Sequence, residues 1–373
     1  TWTNTASGGG RIRTGGGITI DNGGSWLDQQ AFDGSISQDF GGTASNFNNR
    51  GSYTKSGATT TSIGIAFNNT SSGAGTGVVT VNAGTLALGG GGTSNGSFQG
   101  AGTLVFSGGV HNLQAGSSVA NPHVQFSGAT VNVAGGYDVA GTTTVSNGTA
   151  NFTGSVANSG GNLIVSGGAA NFSNLAGVTV STLALSGGTI GGTQSLTVAG
   201  DASWTAGTMT GTGSTTVQGT LAISGAGLKD LTAGRIFNTA TTSTTTWTNT
   251  AASNGRIRTG AGVTIHNSGS WLDQLAFDGA ISPDYGGSAA FDNTGSYTKS
   301  GASTTTIGVA FNNTSSGAGT GVVNVNAGTL ALGGGGSSNG SFLGAGALAF
   351  SGGVHNLEAS SSVANPHVQF SGG

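Results

Sequence analysis

The sequence predicts an all-β chain wound as a parallel β-helix, with about 20 residues per coil and longer steps where loops are inserted. Three observations predict it. Apolar anchors recur at a nearly constant step, which is the mark of a solenoid. Short runs rich in Thr, Val, Leu and Ile are closed by Gly or Asn, as strands between turns are. The 373 residues include 76 Gly but only 3 Pro, and just 6% are charged. That suits many tight corners joining strands that are paired on both sides.

The anchors run Trp2, Ile20, Tyr53, Val81, Phe106, Phe126, Val145, Val165, Leu185, Trp204 and Ile223, then Trp247, Ile265, Tyr297, Val325, Phe350 and Phe370. From Phe106 to Ile223 the spacings are 20, 19, 20, 20, 19 and 19. Elsewhere most stretch to between 24 and 33 and are read as insertions. Alternation puts Leu104 and Phe106 on one face, and likewise Leu163 and Val165. No stretch carries a helical period. One anchor per coil gives 17 coils, a rod of roughly 77 Å at about 4.8 Å per step. Pro122, Pro283 and Pro366 are expected in turns or insertions.

A second, longer period overlies the first. TWTNTASGGGRIRT from Thr1 returns as TWTNTAASNGRIRT from Thr246, and Phe67–Val79 recurs unchanged as Phe311–Val323. The chain is thus expected to be one continuous solenoid, residues 1–373. Residues 1–245 form one copy of the long unit and 246–373 part of a second. The first copy spans 11 steps, roughly 53 Å of axis, so its features would recur at that interval.

Several classes are disfavoured. Gly has no every-third-residue period, so the chain is not collagen. No apolar run is long enough for a membrane-spanning helix. A net charge of −3 without a basic patch argues against nucleic acid. With no Cys there is no disulfide framework or thiolate metal site.

The densest cluster of aromatics and acids follows Ile20, in Asp21–Asn49. It holds Trp26, Asp28, Phe32, Asp33, Asp39 and Phe40, matched by Trp271, Asp273, Phe277, Asp278, Asp284 and Tyr285. As a protruding loop, it would stack sugars on its aromatics and bind hydroxyls with its carboxylates. Those oxygens also suit Ca²⁺, but the spacing fits neither an EF-hand nor an RTX repeat. Folded back on the rod, the same aromatics would cap a satellite core. Arg11, Arg13, Arg256 and Arg258 are expected at strand ends or paired with these carboxylates. His111, His123, His355 and His367 lie beside turns and are expected exposed or capping. The run Gly89–Gly92, repeated at Gly333–Gly336, lacks the GK[ST] of a phosphate loop and is read as a flexible turn. No cofactor or metal is expected.

The segments VTVNAGTLALGG (Val79–Gly90), STLALSGGTIGG (Ser181–Gly192) and TTTVSNGTANFTG (Thr142–Gly154) resemble a known repeat. It is that of autotransporter passenger regions and filamentous-haemagglutinin-like exoproteins of Gram-negative bacteria. The resemblance covers nearly the whole chain. It implies a right-handed β-helix, secreted or attached to the cell surface, serving adhesion, biofilm or display. Surface glycans and further copies of the chain, end to end or side by side, are the partners to expect. A self-assembling filament or sheath subunit is the alternative. RIR at Arg11–Arg13 is similar to the RIK of polygalacturonases, but their NTD, DD and GHG motifs are missing, so enzymatic activity is not expected.

Overall fold

The computed structural model describes residues 1–71, 77–173, 176–251, 255–315 and 321–372. Among them every regular element is a β-strand, and every named strand pairing is parallel. The fold is a parallel β-helix with three strands to a turn. The chain falls into two compact units, Thr1–Val180 and Ser181–Gly373. Their boundary does not coincide with that of the long sequence repeat.

In the first unit one face stacks Gly10–Thr14, Gly34–Gln38, Thr60–Ile63, Thr85–Leu88 and Thr103–Phe106. The leading halves of His123–Val133 and Thr142–Phe152 and then Asn162–Val165 continue it. A second face carries Thr19–Asn22, Asn46–Asn49 and Ala66–Asn69. Higher on that face lie Gly92–Ser94, Val110–Leu113, the trailing halves of the two long strands, and Ala169–Phe172. The third runs from Ser25–Asp28 through Ser52–Lys55, Val78–Val81, Ser97–Gln99 and Ser118–Val119 to Gly136–Val139 and Val156–Ser159.

The second unit repeats the design. One face includes Thr220–Ile223, Thr244–Trp247, Ser270–Asp273, Ser296–Lys299 and Val322–Val325. Another carries Lys229–Leu231, Gly255–Thr259, Gly279–Ser282, Thr304–Ile307 and Thr329–Leu332. The third holds Ser214–Val217, Ile236–Thr239, Thr264–Asn267, Ala290–Asn293 and Ala310–Asn313.

Most strands have four residues, and their second and fourth side chains turn inward. In Thr85–Leu88, for example, Leu86 and Leu88 are buried. Parallel in-register pairing then sets like on like. Phe47 stacks on Phe67 at 5.2 Å, Phe106 on Phe126 at 5.6 Å and Phe152 on Phe172 at 5.0 Å. Corners need glycine where coils nearly touch. Gly148 has φ +81°, and a Cβ there would meet the Ala129 carbonyl oxygen at 2.2 Å. The three prolines lie outside the strands, as expected.

Two expectations need correction. Phe106, Phe126, Val145 and Val165 do share a face, and Leu185, Trp204, Ile223 and Trp247 share one in the second unit. The longer steps, however, are of two kinds. Ile223–Trp247 and Tyr53–Val81 join strands that pair directly and are single coils of greater length, as expected, whereas others change face. Val81 pairs beside Lys55, whereas Phe106 lies over Leu88 on a different face, so that step includes an extra side of the triangle. Counting one anchor per coil therefore misplaces the turns. The supposed insertion after Ile20 likewise contains three regular strands, Ser25–Asp28, Gly34–Gln38 and Asn46–Asn49. The Gly89–Gly92 turn is close-packed rather than loose. A Cβ on Gly90 would lie 2.1 Å from the Ile65 carbonyl carbon, and on Gly334 as close to that of Val309.

Candidate functional site

The predicted cluster separates into three environments. The first is inside the solenoid. SWLD (Ser25–Asp28) pairs in register with SYTK (Ser52–Lys55), setting Trp26 beside Tyr53 and Asp28 beside Lys55. The period of two turns all four toward the interior. Thr61 reaches Asp28 from another face. Asp28 Oδ2 accepts hydrogen bonds from Tyr53 Oη at 2.8 Å and Thr61 Oγ1 at 2.6 Å, with Lys55 Nζ at 3.9 Å. Asp28, Tyr53, Lys55 and Thr61 are all fully buried.

The second copy rebuilds this cluster. Asp273 Oδ2 accepts from Tyr297 at 2.8 Å and Thr305 at 2.6 Å, and Lys299 Nζ lies 3.6 Å away. Lys299 Nζ also donates to Thr305 Oγ1 at 3.0 Å, and the Leu275 N–H to Asp273 Oδ1 at 3.3 Å. Burial pushes both tyrosines well above their ordinary range, and the adjacent carboxylate adds to this. Burial also lowers Lys55 and Lys299, against the pull of Asp28 and Asp273.

Opposite charges near 4 Å attract by about 4 kcal/mol at an effective dielectric of 20. Desolvation costs several kcal/mol per ion, so the pair is a poor net source of stability. It does specify register, because a one-residue slip of either strand would turn its charge outward and leave the other buried alone.

The second environment is a turn. Asp33 and Asp278 each accept a backbone N–H, from Thr60 and Thr304, at 2.8 Å. The neighbouring turn is clamped by Asn4, whose Oδ1 accepts from the N–H groups of Ala31 and Phe32 while its Nδ2 donates to the Phe32 carbonyl. Asn249 does the same for Ala276 and Phe277. Sequence reasoning missed these asparagines, although the repeated TWTN carried the signal. Phe32 and Phe277 are exposed beside the clamps.

The third environment is the surface. Asp39 accepts from Arg11 and Arg13, both at 2.7 Å, and Arg13 lies 4.4 Å over the ring of Phe40, which is 66% exposed. The Arg13 hydrogen bond, helped by Ser37, holds the Asp39 carboxyl below its usual range. In the second copy Arg256 pairs with Asp284 at 2.6 Å. Arg258 instead forks onto Asp230 with two contacts of 2.7 Å, lies 5.0 Å from the ring centre of Tyr285, and shares Asp230 with the Tyr285 hydroxyl at 3.0 Å. Arg11, Arg13 and Arg256 thus meet the cluster carboxylates, as expected, whereas Arg258 pairs with an acid of the strand Lys229–Leu231.

The cluster does not form one sugar-stacking loop. Trp271 is buried, and Trp26 packs edge-on to Phe47 at 5.2 Å. Among the described residues no three His, Cys, Asp or Glu side chains are grouped to hold a metal ion. His111 takes the capping alternative and not the exposed one. It is buried, with Nε2 within 3.3 Å of the Leu88 and 3.1 Å of the Gly108 carbonyl oxygen, and burial lowers its pKa. His355 repeats these contacts with Leu332 and Gly352.

Two buried cations also escaped the sequence reading. Arg235 donates to the Ser214 carbonyl at 2.9 Å and Thr215 Oγ1 at 2.7 Å, and burial lowers it to about 10. Lys229 donates to the carbonyls of Gly225 and Gly227 at 3.0 and 2.9 Å, and burial lowers it to about 8. No helix among the described residues is long and apolar enough to cross a membrane.

Compared with family models, curated proteins and solved structures, the chain matches none.

Proposed function

We propose that this chain is a structural and adhesive repeat scaffold of a bacterial surface or secreted protein, without catalytic activity. The observation that carries the reading is the direction of its polar chemistry. In both copies the acids Asp28, Asp33 and Asp39, and their counterparts, are engaged by hydroxyls, backbone N–H groups or arginines of neighbouring coils. Polar side chains that tie coil to coil are what a mechanical element needs. The resemblance of its strand repeats to autotransporter passengers and filamentous-haemagglutinin-like exoproteins supports an extracellular location.

The adhesive part rests on the exposed aromatic–arginine patches. Phe40 with Arg13, and Tyr285 with Arg258, present a ring beside a cation on the surface. A glycan could stack on such a ring while the guanidinium and carboxylate take its hydroxyls.

Antibody labelling of intact producing cells tests location: signal before lysis supports the proposal, and signal only after lysis refutes it. A glycan array tests adhesion. The expected result is binding lost in Phe40→Ala with Tyr285→Ala. Binding unchanged in that variant removes the patches from the reading. Release of product from any polysaccharide on the array would overturn the non-catalytic assignment. Filaments seen by electron microscopy of native material would favour the self-assembling alternative.

A further inference from the structure

The buried Asp–Lys pairs carry chemistry that scaffolding alone does not use. A buried ammonium should spend its N–H groups on acceptors. Lys55 Nζ has no hydrogen-bond partner, and Asp28 Oδ1 is likewise buried and unpaired. Nitrogen and carboxylate nevertheless face each other at 3.9 Å in one copy and 3.6 Å in the other, from adjacent coils and with neither group exposed. As ions these groups are under-satisfied. As an amide, neither charge would remain to be desolvated.

We propose that Lys55 with Asp28, and Lys299 with Asp273, condense spontaneously on folding to intramolecular amide bonds that staple neighbouring coils. In the dry interior the ammonium passes one proton to the carboxylate, leaving a neutral amine and a carboxylic acid. The amine lone pair attacks Asp273 Cγ. A C–N bond forms and the Cγ–Oδ2 bond breaks. Oδ2 leaves as water with the acid proton and one proton from nitrogen. Oδ1 remains as the amide oxygen, accepting the Leu275 N–H.

Thr305 Oγ1 is placed to relay the nitrogen proton, 3.0 Å from Lys299 Nζ and 2.6 Å from Oδ2. Tyr297 Oη donates to the same leaving oxygen. Thr61 and Tyr53 make the corresponding contacts to Asp28 Oδ2. The balance is one ammonium and one carboxylate in, one amide and one water out, with no oxidant, cofactor or second protein. The fold supplies what bulk water denies: the fixed approach of nitrogen to carboxyl, with burial favouring the neutral amine.

The test is the intact mass of the whole folded chain, measured under denaturing conditions, followed by proteolysis and peptide sequencing. The expected mass falls short of the sequence by two waters, with branched peptides joining Lys55 to Asp28 and Lys299 to Asp273. Asp28→Ala and Asp273→Ala should each restore one water. Chain denatured before it has folded should have the full mass and lose the waters on refolding, so the outcome does not depend on a variant folding. A full mass in the folded chain overturns the proposal. So does a loss mapped to the Asp33–Gly34 or Asp278–Gly279 steps, where cyclisation to an imide also expels water. Loss at one pair alone overturns the assignment for the other.

Discussion

Replacing Asn293 by Ala cuts a ladder inside the second unit. Asn267 Nδ2 donates to Asn293 Oδ1 at 2.7 Å, and Asn293 Nδ2 to Asn313 Oδ1 at 2.9 Å, with all three side chains fully buried. Alanine removes both amide–amide bonds. Asn267 Nδ2 keeps its bond to the Ser296 carbonyl, but Asn313 Oδ1 loses its donor in a place water does not reach. One orphaned buried acceptor costs about 1–3 kcal/mol, and an ordinary hydrogen bond contributes about 1. The expected loss is about 2–4 kcal/mol. The control is Asn151→Ala on the partly exposed ladder Asn112–Asn132–Asn151–Asn171, whose links are each 2.9 Å. Water can replace those partners, so the control should cost about 1 kcal/mol or less. A solenoid opens locally, so the assay is native-state hydrogen exchange of the strands that carry each ladder, Ala290–Asn293 and Ala310–Asn313 for Asn293→Ala and Thr142–Phe152 and Ala169–Phe172 for the control, beside global denaturant unfolding. Equal protection losses in the two variants would refute the claim that burial sets the worth of these ladders.

Three further predictions follow from other parts of the fold. Lys299→Met strands a buried carboxyl beside Tyr297 and Thr305 and should destabilise by at least about 3–5 kcal/mol, the loss of the staple adding to the cost of the stranded carboxyl. Lys299→Met with Asp273→Leu should cost clearly less, read from denaturant midpoints. Lys229 titrates near 8 when folded and near 10.4 when unfolded. Between those values the unfolded chain binds more protons, so stability rises with pH through that window; urea melts of Lys229→Met should lack this rise. Trp271→Ala empties a fully buried site and should cost about 3–5 kcal/mol. It should leave the surface patch at Tyr285 and any glycan binding intact, whereas a selective loss of binding with unchanged stability would return Trp271 to the surface role expected from sequence.

Much of the fold was legible because a solenoid writes its geometry into a linear period. The 19- and 20-residue steps from Phe106 to Val165 mark one face directly, since each coil there has nearly the same length. Where strands and corners vary in length, the period alone does not say which of three faces an anchor belongs to, and it makes Val81 and Phe106 look like equivalent positions. The candidate site was legible as composition but not as placement. Trp26, Asp28, Phe32, Asp33, Asp39 and Phe40 are close in sequence, yet they divide among core, turn and surface because successive strands turn their side chains toward different partners.

By itself, then, the sequence determined the class of fold, the two repeat periods, the exclusion of proline from strands and the crowding of glycine at corners. These follow from local backbone sterics and from period-two alternation, which operate within a few residues. Only the tertiary structure decided that an acid in SWLD meets a lysine in SYTK, that His111, Lys229 and Arg235 are buried, and that Arg258 chooses Asp230 while Arg13 chooses Asp39. Those outcomes depend on which coil lies above which. That register is a property of stacked strands 20 to 30 residues apart in sequence, where no local propensity reaches.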